Sequence, residues 1–252
     1  MADETATSHV ITLFLEGALA AFADGSRSQG GSAAGDVAAA ASGWLAANVG
    51  YAVPVLYGRQ EHTRITYVYG AERPLTPGAH LVGTCDSLIT DVPGVALQVR
   101  TADCLPVALA GRGVVAMVHA GWRGLAADIL GATLARFGTD FGVDAGNVQA
   151  VIGVGIGQCH YQVGCEVIEA LHWHGSASAE WQHGGAVDLA AFARGRLTTL
   201  GVPEARITVL PGCTFCLPGF HSHRRDGAGS GRQWSLIVLT EGDRQEAKGK
   251  RR

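Results

Sequence analysis

The stretch TADCLPVALAGRGVVAMVHAGWRGL, residues 101–125, decides the fold. An apolar run over residues 95–110 is broken by Arg100-Thr101-Ala102-Asp103-Cys104. A second run over residues 113–119 is rich in β-branched side chains. Both read as buried strands, because short apolar runs bounded by polar or glycine breaks fit a covered sheet. Residues 121–124 then form a turn, and the apolar residues of 125–137 recur at helical spacing. Working outward, residues 148–154 predict a further buried strand. Residues 163–173 and 189–200 predict helices, and 206–210 and 233–239 predict strands. Toward the N-terminus, residues 51–57 and 63–69 alternate as strands around the polar turn Gly58-Arg59-Gln60-Glu61-His62. Asp36 is placed to cap an alanine-rich helix reaching residue 48. Residues 1–22 fit helix or strand equally. Strands and helices mix without strict βαβ alternation, so the expected class is α/β (α+β) in a single domain.

Composition narrows the function. The 252 residues are 47% hydrophobic and 16% charged, which suits a globular chain with a large core. A net charge of −3 gives no electrostatic footprint for nucleic acid. No run reaches the roughly 18 apolar residues of a membrane span. Residues 10–22 are interrupted by Glu16 and lack a basic leader, so a cytoplasmic location is expected. There, six cysteines fit reduced thiols or metal ligands better than disulfides. Residues 1–37 read as a variable segment with a Gly/Ser-rich flexible loop, 38–240 as the catalytic domain, and 241–252 as a polar tail.

The chemistry concentrates where strands end. Cys104 stands at the break between apolar runs, and His119 closes the next run fifteen residues later. Adjacent strands ending together would bring both side chains to one place. Thiolate and imidazole are preferred zinc donors, and His62, in the turn of the preceding hairpin, could complete a three-ligand site with one open position. Spacing alone also allows a plainer reading, with Cys104 a buried core thiol and His119 a hydrogen-bonded core residue.

The segment TADCLPVALAGRGVVAMVHAGWRGLAADIL, residues 101–130, closely resembles the central signature of the laccase-domain family, the multicopper polyphenol oxidase class with purine nucleoside phosphorylase members. CDSLITDVPGVALQV (85–99), GIGQCHYQVG (155–164) and CTFCLPGFHSHRRDGAGSGRQWSLI (213–237) are similar to its flanking elements. The likeness covers roughly residues 50–240. It implies a laccase-domain (cysteine-hydrolase-like) fold, with mixed β-sheets layered between helices. It also implies His62, Cys104 and His119 as the metal ligands; Zn2+ is the expected ion, and Cys104, His119 and Asp103 are the expected catalytic residues. The implied chemistry is phosphorolysis of adenosine, inosine and methylthioadenosine, with adenosine deamination beside it. Where relatives carry Gln-x-His-Gly, this chain has Gln60-Glu61-His62-Thr63, and Gln162 stands where they carry an acid.

Phosphorolysis needs an anion site. Guanidinium groups bind phosphate in forked pairs, which makes Arg123, Arg224 and Arg225 candidates, with His223 lining the site. A local Arg225–Asp226 ion pair is the structural alternative. Asp103 either orients a ligand or caps its turn. Cys213-Thr-Phe-Cys216 is a lone C-x-x-C, read here as buried structural thiols, with Cys159 and Cys165 as possible neighbours. The pairs His172-Trp-His174 and His221-Ser-His223 are too few for a copper cluster, so copper ranks below zinc. The expected partners are a nucleoside and phosphate, with neither nucleic acid nor membrane, in a monomer or homodimer. Competing readings are a hydrolase or editing enzyme for a peptidoglycan precursor, a copper polyphenol oxidase, and a non-catalytic zinc-binding module.

Overall fold

In a computed structural model of the chain, residues 105–120 form the hairpin that the runs predict. The model describes residues 10–27, 33–50, 52–72, 74–172 and 180–240. Fourteen strands are found among them: β1 (Val10–Leu15), β2 (Ala18–Ala23), β3 (Pro54–Arg59), β4 (Thr66–Tyr69), β5 (Gly78–Thr84), β6 (Ser87–Thr90), β7 (Ala96–Thr101), β8 (Leu105–Gly111), β9 (Val114–Ala120), β10 (Gln149–Ile152), β11 (Gln182–His183), β12 (Ala186–Val187), β13 (Ile207–Val209) and β14 (Gln233–Leu239). The helices are α1 (Ala34–Val49), α2 (Trp122–Ala126), α3 (Ile129–Phe141), α4 (Cys165–His172), α5 (Leu189–Thr199) and the single turn α6 (His223–Asp226).

Two mixed sheets carry the fold. The first runs β1-β2-β14-β7-β3-β5 and the second β13-β10-β8-β9-β6-β4. They stack face to face through a shared apolar layer that includes Leu97, Val99 and Ile237 from one and Ala108, Val115 and Met117 from the other. Helix α1 covers the outside of the first sheet, packing Val37, Ala41 and Leu45 against Trp234 and Leu236. Helices α2 to α5 cover the outside of the second, around Phe137, Leu197, Val107 and Val118. The result is helix, sheet, sheet, helix. Period-two alternation assigns the faces: on β14, Trp234, Leu236 and Val238 meet α1, whereas Ile237 and Leu239 face the other sheet. Strands covered on both sides carry no polar face, and all seven residues of β9 are buried.

Several expectations need correction. The run 51–69 is not a hairpin. Its first strand, β3, pairs in parallel with β5 and β7 in the first sheet. Its second, β4, pairs in parallel with β6 in the second sheet. The polar residues between them carry the chain across the gap. The break at Thr101–Cys104 does the same, taking the chain from β7 to β8. Residues 10–23 form the β1–β2 hairpin, joined to β14, so the segment before residue 38 contributes two strands to the main sheet. Helix α1 begins at Ala34, with Asp36 in its first turn rather than at the cap. There a carboxylate favours the positive end of the helix without capping it. The helical run after residue 121 divides in two at Asp128. Asp128 takes a left-handed conformation (φ 62°) and caps α3 by accepting from the Gly131 N–H. Trp173 and His174, residues 28–32 of the Gly/Ser-rich loop expected over 23–37, and the tail 241–252 lie outside the described residues.

Candidate metal centre

Two of the sheet-to-sheet crossings, β3 to β4 and β7 to β8, meet at one end of the sandwich. Pairing of β8 with β9 sets Pro106 opposite His119 and Leu105 opposite Ala120, so Cys104 arrives beside the end of β9. The first crossing delivers His62. Donor atoms of His62, Cys104 and His119 lie within 4.8 Å of one another, as the sequence predicts for a shared ion. Cys104 Sγ is 3.7 Å from His62 Nε2, and the two imidazole rings stand edge to face at 4.8 Å. His119 is buried, Cys104 half-buried and His62 exposed, so the triad opens to solvent on one side. Among the described residues, two of the four non-glycine residues with positive φ are His62 (59°) and Asp103 (87°). Such strain gathers at functional sites when the surroundings enforce it. Gly121 shows how tight the cluster is. A Cβ there would lie 2.8 Å from Cys104 Sγ and 2.8 Å from His62 Cδ2.

The enforcing residue is Asp86, which the sequence reading passed over. It is fully buried at the start of β6. Its Oδ1 accepts from His119 Nδ1 at 2.8 Å and from the His62 N–H at 3.1 Å. Its Oδ2 accepts from the Thr63 N–H and hydroxyl, both at 2.7 Å, and from the Glu61 N–H at 3.3 Å. One carboxylate therefore fixes the tautomer of His119 and folds the loop that presents His62. A carboxylate behind a ligating imidazole is the usual outer support of a metal site. Thr63 contributes two of these bonds. The preceding Gln60 acts as a strand surrogate, accepting from the Arg100 N–H at 2.9 Å and donating to its carbonyl at 2.7 Å.

Charge follows from these contacts. Burial opposes ionisation of Asp86, but the His119 and Thr63 hydrogen bonds overcome it and hold the carboxyl at about 2. Burial also opposes a Cys104 thiolate. The charge and hydrogen bond of His119, with the His62 bond, outweigh it and draw the thiol down to about 6. Conversely, His119 is disfavoured as a cation by burial, yet Cys104 and Asp86 raise it to about 9. Without a metal, this is a thiolate–imidazolium pair on a buried acid.

Asp103, expected in the catalytic centre, ties loops together. Its Oδ1 accepts from Thr214 Oγ1 at 2.7 Å, its Oδ2 from the Arg224 N–H at 2.6 Å, and its carbonyl from the Ile156 N–H at 2.8 Å. Arg123 is exposed and stacks its guanidinium on Trp122 at 4.3 Å, with no hydrogen-bond partner among the described residues. Arg224 lies over Tyr161 at 5.1 Å and donates through Nη1 to the Gln162 and His160 carbonyls at 2.9 and 3.3 Å. Tyr161 is a second residue that the site reading omitted. Burial, then the Cys104 charge, pushes its phenol up, and both Arg224 and Arg123 act on it in the other direction. Arg225 is a loop clamp. It pairs with Asp226 at 2.9 Å and donates to the carbonyls of Thr214, Phe215 and Phe220. His223 is exposed at the start of α6. Cys213 is buried but Cys216 is exposed, against the expectation of two buried thiols, and both gather with Cys159 and His160 in a separate cluster of metal-binding side-chain types. Neither group includes Cys165, His172, His221 or His223.

Fold and site together define a laccase-domain protein. The chain belongs to the family described as multi-copper polyphenol oxidoreductase laccase, whose model matches residues 29–240. It is 37% identical over 163 residues to a purine nucleoside phosphorylase of Bacteroides thetaiotaomicron, covering 61% of this chain and 60% of that one. It is 35% identical over 164 residues to adenosine deaminase RL5 of an unknown prokaryotic organism, covering 60% of this chain and 61% of that one. The match thus spans about 60% of the length of these curated relatives. The crystal structure of YlmD from Geobacillus stearothermophilus is similar, with a TM-score of 0.76 and 26% identity over 89% of this chain and 93% of that one. No helix of the described residues is long and apolar enough to cross a membrane.

Proposed function

We propose that this chain is a zinc-dependent purine nucleoside phosphorylase acting on adenosine, inosine and methylthioadenosine, with adenosine deamination at the same site. The observation that carries this reading is the solvent-open His62–Cys104–His119 triad, with its donors within 4.8 Å of one another. Its donor set suits zinc: one thiolate, two imidazoles, and His119 held by Asp86 with Nε2 left for the ion. Three protein ligands leave a position free, as in a catalytic rather than a structural centre. When bound, zinc supplies a Lewis acid.

The other work falls to the chain. Arg123 and the unoccupied Nε and Nη2 of Arg224 bind phosphate; Arg225 is left out because its donors are taken by Asp226 and loop carbonyls. A phosphate oxygen attacks C1′ of the nucleoside as the bond from C1′ to the purine nitrogen breaks. The bonding electrons leave with the base, which takes up a proton. Tyr161, kept protonated by burial within electrostatic reach of Cys104 and both arginines, is suited to give that proton. Deamination consumes water at C6 and releases ammonia, giving inosine. The relatives' names support both activities. A cytoplasmic location suits thiolate ligands, which stay reduced there.

Chromatography of adenosine incubated with the metal-analysed protein tests this. Adenine formed only with phosphate, inosine formed without it, and loss of both in Cys104→Ala are the expected results. Zinc-loaded protein that leaves adenosine, inosine and methylthioadenosine unchanged would overturn the reading.

A further inference from the structure

The second group of ligands has four members. The 3-10 turn Gln158–His160 brings Cys159 and His160, and the C-x-x-C of residues 213–216 brings Cys213 and Cys216. All four donor atoms lie within 4.8 Å of one another. Cys159 Sγ is 3.7 Å from Cys216 Sγ. His160 Nδ1 lies 3.3 Å from Cys159 Sγ and 3.2 Å from Cys216 Sγ. A tetrahedron with Zn–S bonds of about 2.3 Å and a Zn–N bond of about 2.0 Å has edges of about 3.8 Å between sulfurs and about 3.5 Å from sulfur to nitrogen. The observed separations fit those edges.

The backbone is built for such a group. The Cys216 and Leu217 N–H groups both donate to the Cys213 carbonyl, closing the C-x-x-C into a tight knuckle. The Gly157 N–H donates to Cys213 Sγ at 3.1 Å. A Cβ on Gly157 would come within 3.1 Å of Cys213 Cβ and 3.4 Å of Cys159 Sγ, so glycine lets the two loops close. Phe215 stacks on the His160 ring at 4.0 Å with 14° between planes, which keeps Nδ1 turned toward the sulfurs.

We propose that Cys159, His160, Cys213 and Cys216 bind a structural zinc ion, distinct from the centre at Cys104. Four protein donors complete a tetrahedron and leave no position for substrate. The ion would join the two loops that furnish the open centre. Tyr161 follows His160 directly, and the His160 and Gln162 carbonyls hold Arg224. Thr214 follows Cys213 and bonds Asp103, the neighbour of Cys104. This assignment does not rest on the reaction proposed above.

Metal content tests it. Protein produced with ample zinc is expected to hold two zinc ions per chain by plasma mass spectrometry. Cys104→Ser and Cys216→Ser are each expected to hold one, and the double variant none. Cobalt added to metal-stripped protein separates the sites by their thiolate count. Cys104→Ser should keep the intense near-ultraviolet thiolate-to-cobalt absorption of three sulfurs, and Cys216→Ser should lose most of it. Should Cys216→Ser fail to fold, Cys104→Ser decides alone: one retained zinc supports the proposal, and none overturns it. A wild type with one zinc per chain, unchanged in Cys216→Ser, or a native Cys159–Cys216 disulfide found by alkylation mapping, would also overturn it.

Discussion

Replacing Asp86 by asparagine probes the centre without changing its shape. The amide must put its NH2 on one side of the carboxylate position. On the Oδ2 side it faces the backbone N–H groups of Thr63 and Glu61. On the Oδ1 side it faces the His62 N–H and the proton on His119 Nδ1. The first choice orphans two part-buried donors; the second orphans one and drives the His119 proton to Nε2, the nitrogen a metal needs. An unsatisfied buried donor costs about 1–3 kcal/mol and a part-buried one less, so Asp86→Asn is expected to lose about 1–3 kcal/mol in urea unfolding of the metal-free protein. Zinc affinity at the centre, read by chelator competition, should fall roughly 10–100-fold. The acid limb gives a second reading. Asp86 is held at about 2 in the folded chain, against about 3.9 unfolded. A depressed carboxyl stabilises above the unfolded value, and that share is lost as pH falls through about 4 toward 2. Two units correspond to about 2.7 kcal/mol, a slope the variant should lack. Stability within about 0.5 kcal/mol of wild type, together with unchanged zinc affinity, would refute the argument that Asp86 organises the centre.

Other expectations can be checked alongside. Gly121→Ala places a Cβ 2.8 Å from both Cys104 Sγ and His62 Cδ2, so it should abolish zinc binding at this centre while leaving the circular dichroism spectrum unchanged. Arg123→Ala removes an exposed guanidinium, so its KM for phosphate should rise at least about tenfold with little change in melting temperature, as for other charge-assisted contacts. In metal-free protein, Cys104 alkylation by iodoacetamide should rise with pH around about 6, well below an ordinary thiol, and zinc should block it. A rise only near pH 8–9, the range of a free cysteine, would remove the thiolate–imidazolium pair from the account.

The legible parts of the sequence are those fixed by short-range pattern. Short apolar runs mark β8, β9 and β14, and the Cys104–His119 pairing follows because hairpin neighbours are close in sequence. Partners set by the sheet stack were hidden. The polar residues 58–62 look like a hairpin turn because both flanks alternate, yet nothing local reveals that β3 and β4 join different sheets. β6 was missed because four buried residues are too short for a periodic signal. β5 alternates between half-buried and exposed without a strong apolar face. Asp86 was invisible for a related reason: its partners lie 23 to 33 residues away, and a buried acid reads from sequence like any surface acid. The Cys159–His160 pair met the C-x-x-C only through a fold that closes about 55 residues of intervening chain.

The centre hangs on two strands of chain that cross between sheets, so it registers how far apart those sheets lie. Ala108 and Ala110 are fully buried in the shared layer, in the same cluster as larger side chains such as Leu97 and Ile237. A bulkier residue at either position would act as a wedge, levering the sheets apart far from the donors themselves. His62 and Cys104 each arrive on a crossing, while His119 rides on one sheet alone. Spreading the sheets would therefore pull the donors apart before it melted the fold. Packing changes in a predominantly apolar layer would in this way tune metal affinity as a gauge responds to the gap it spans.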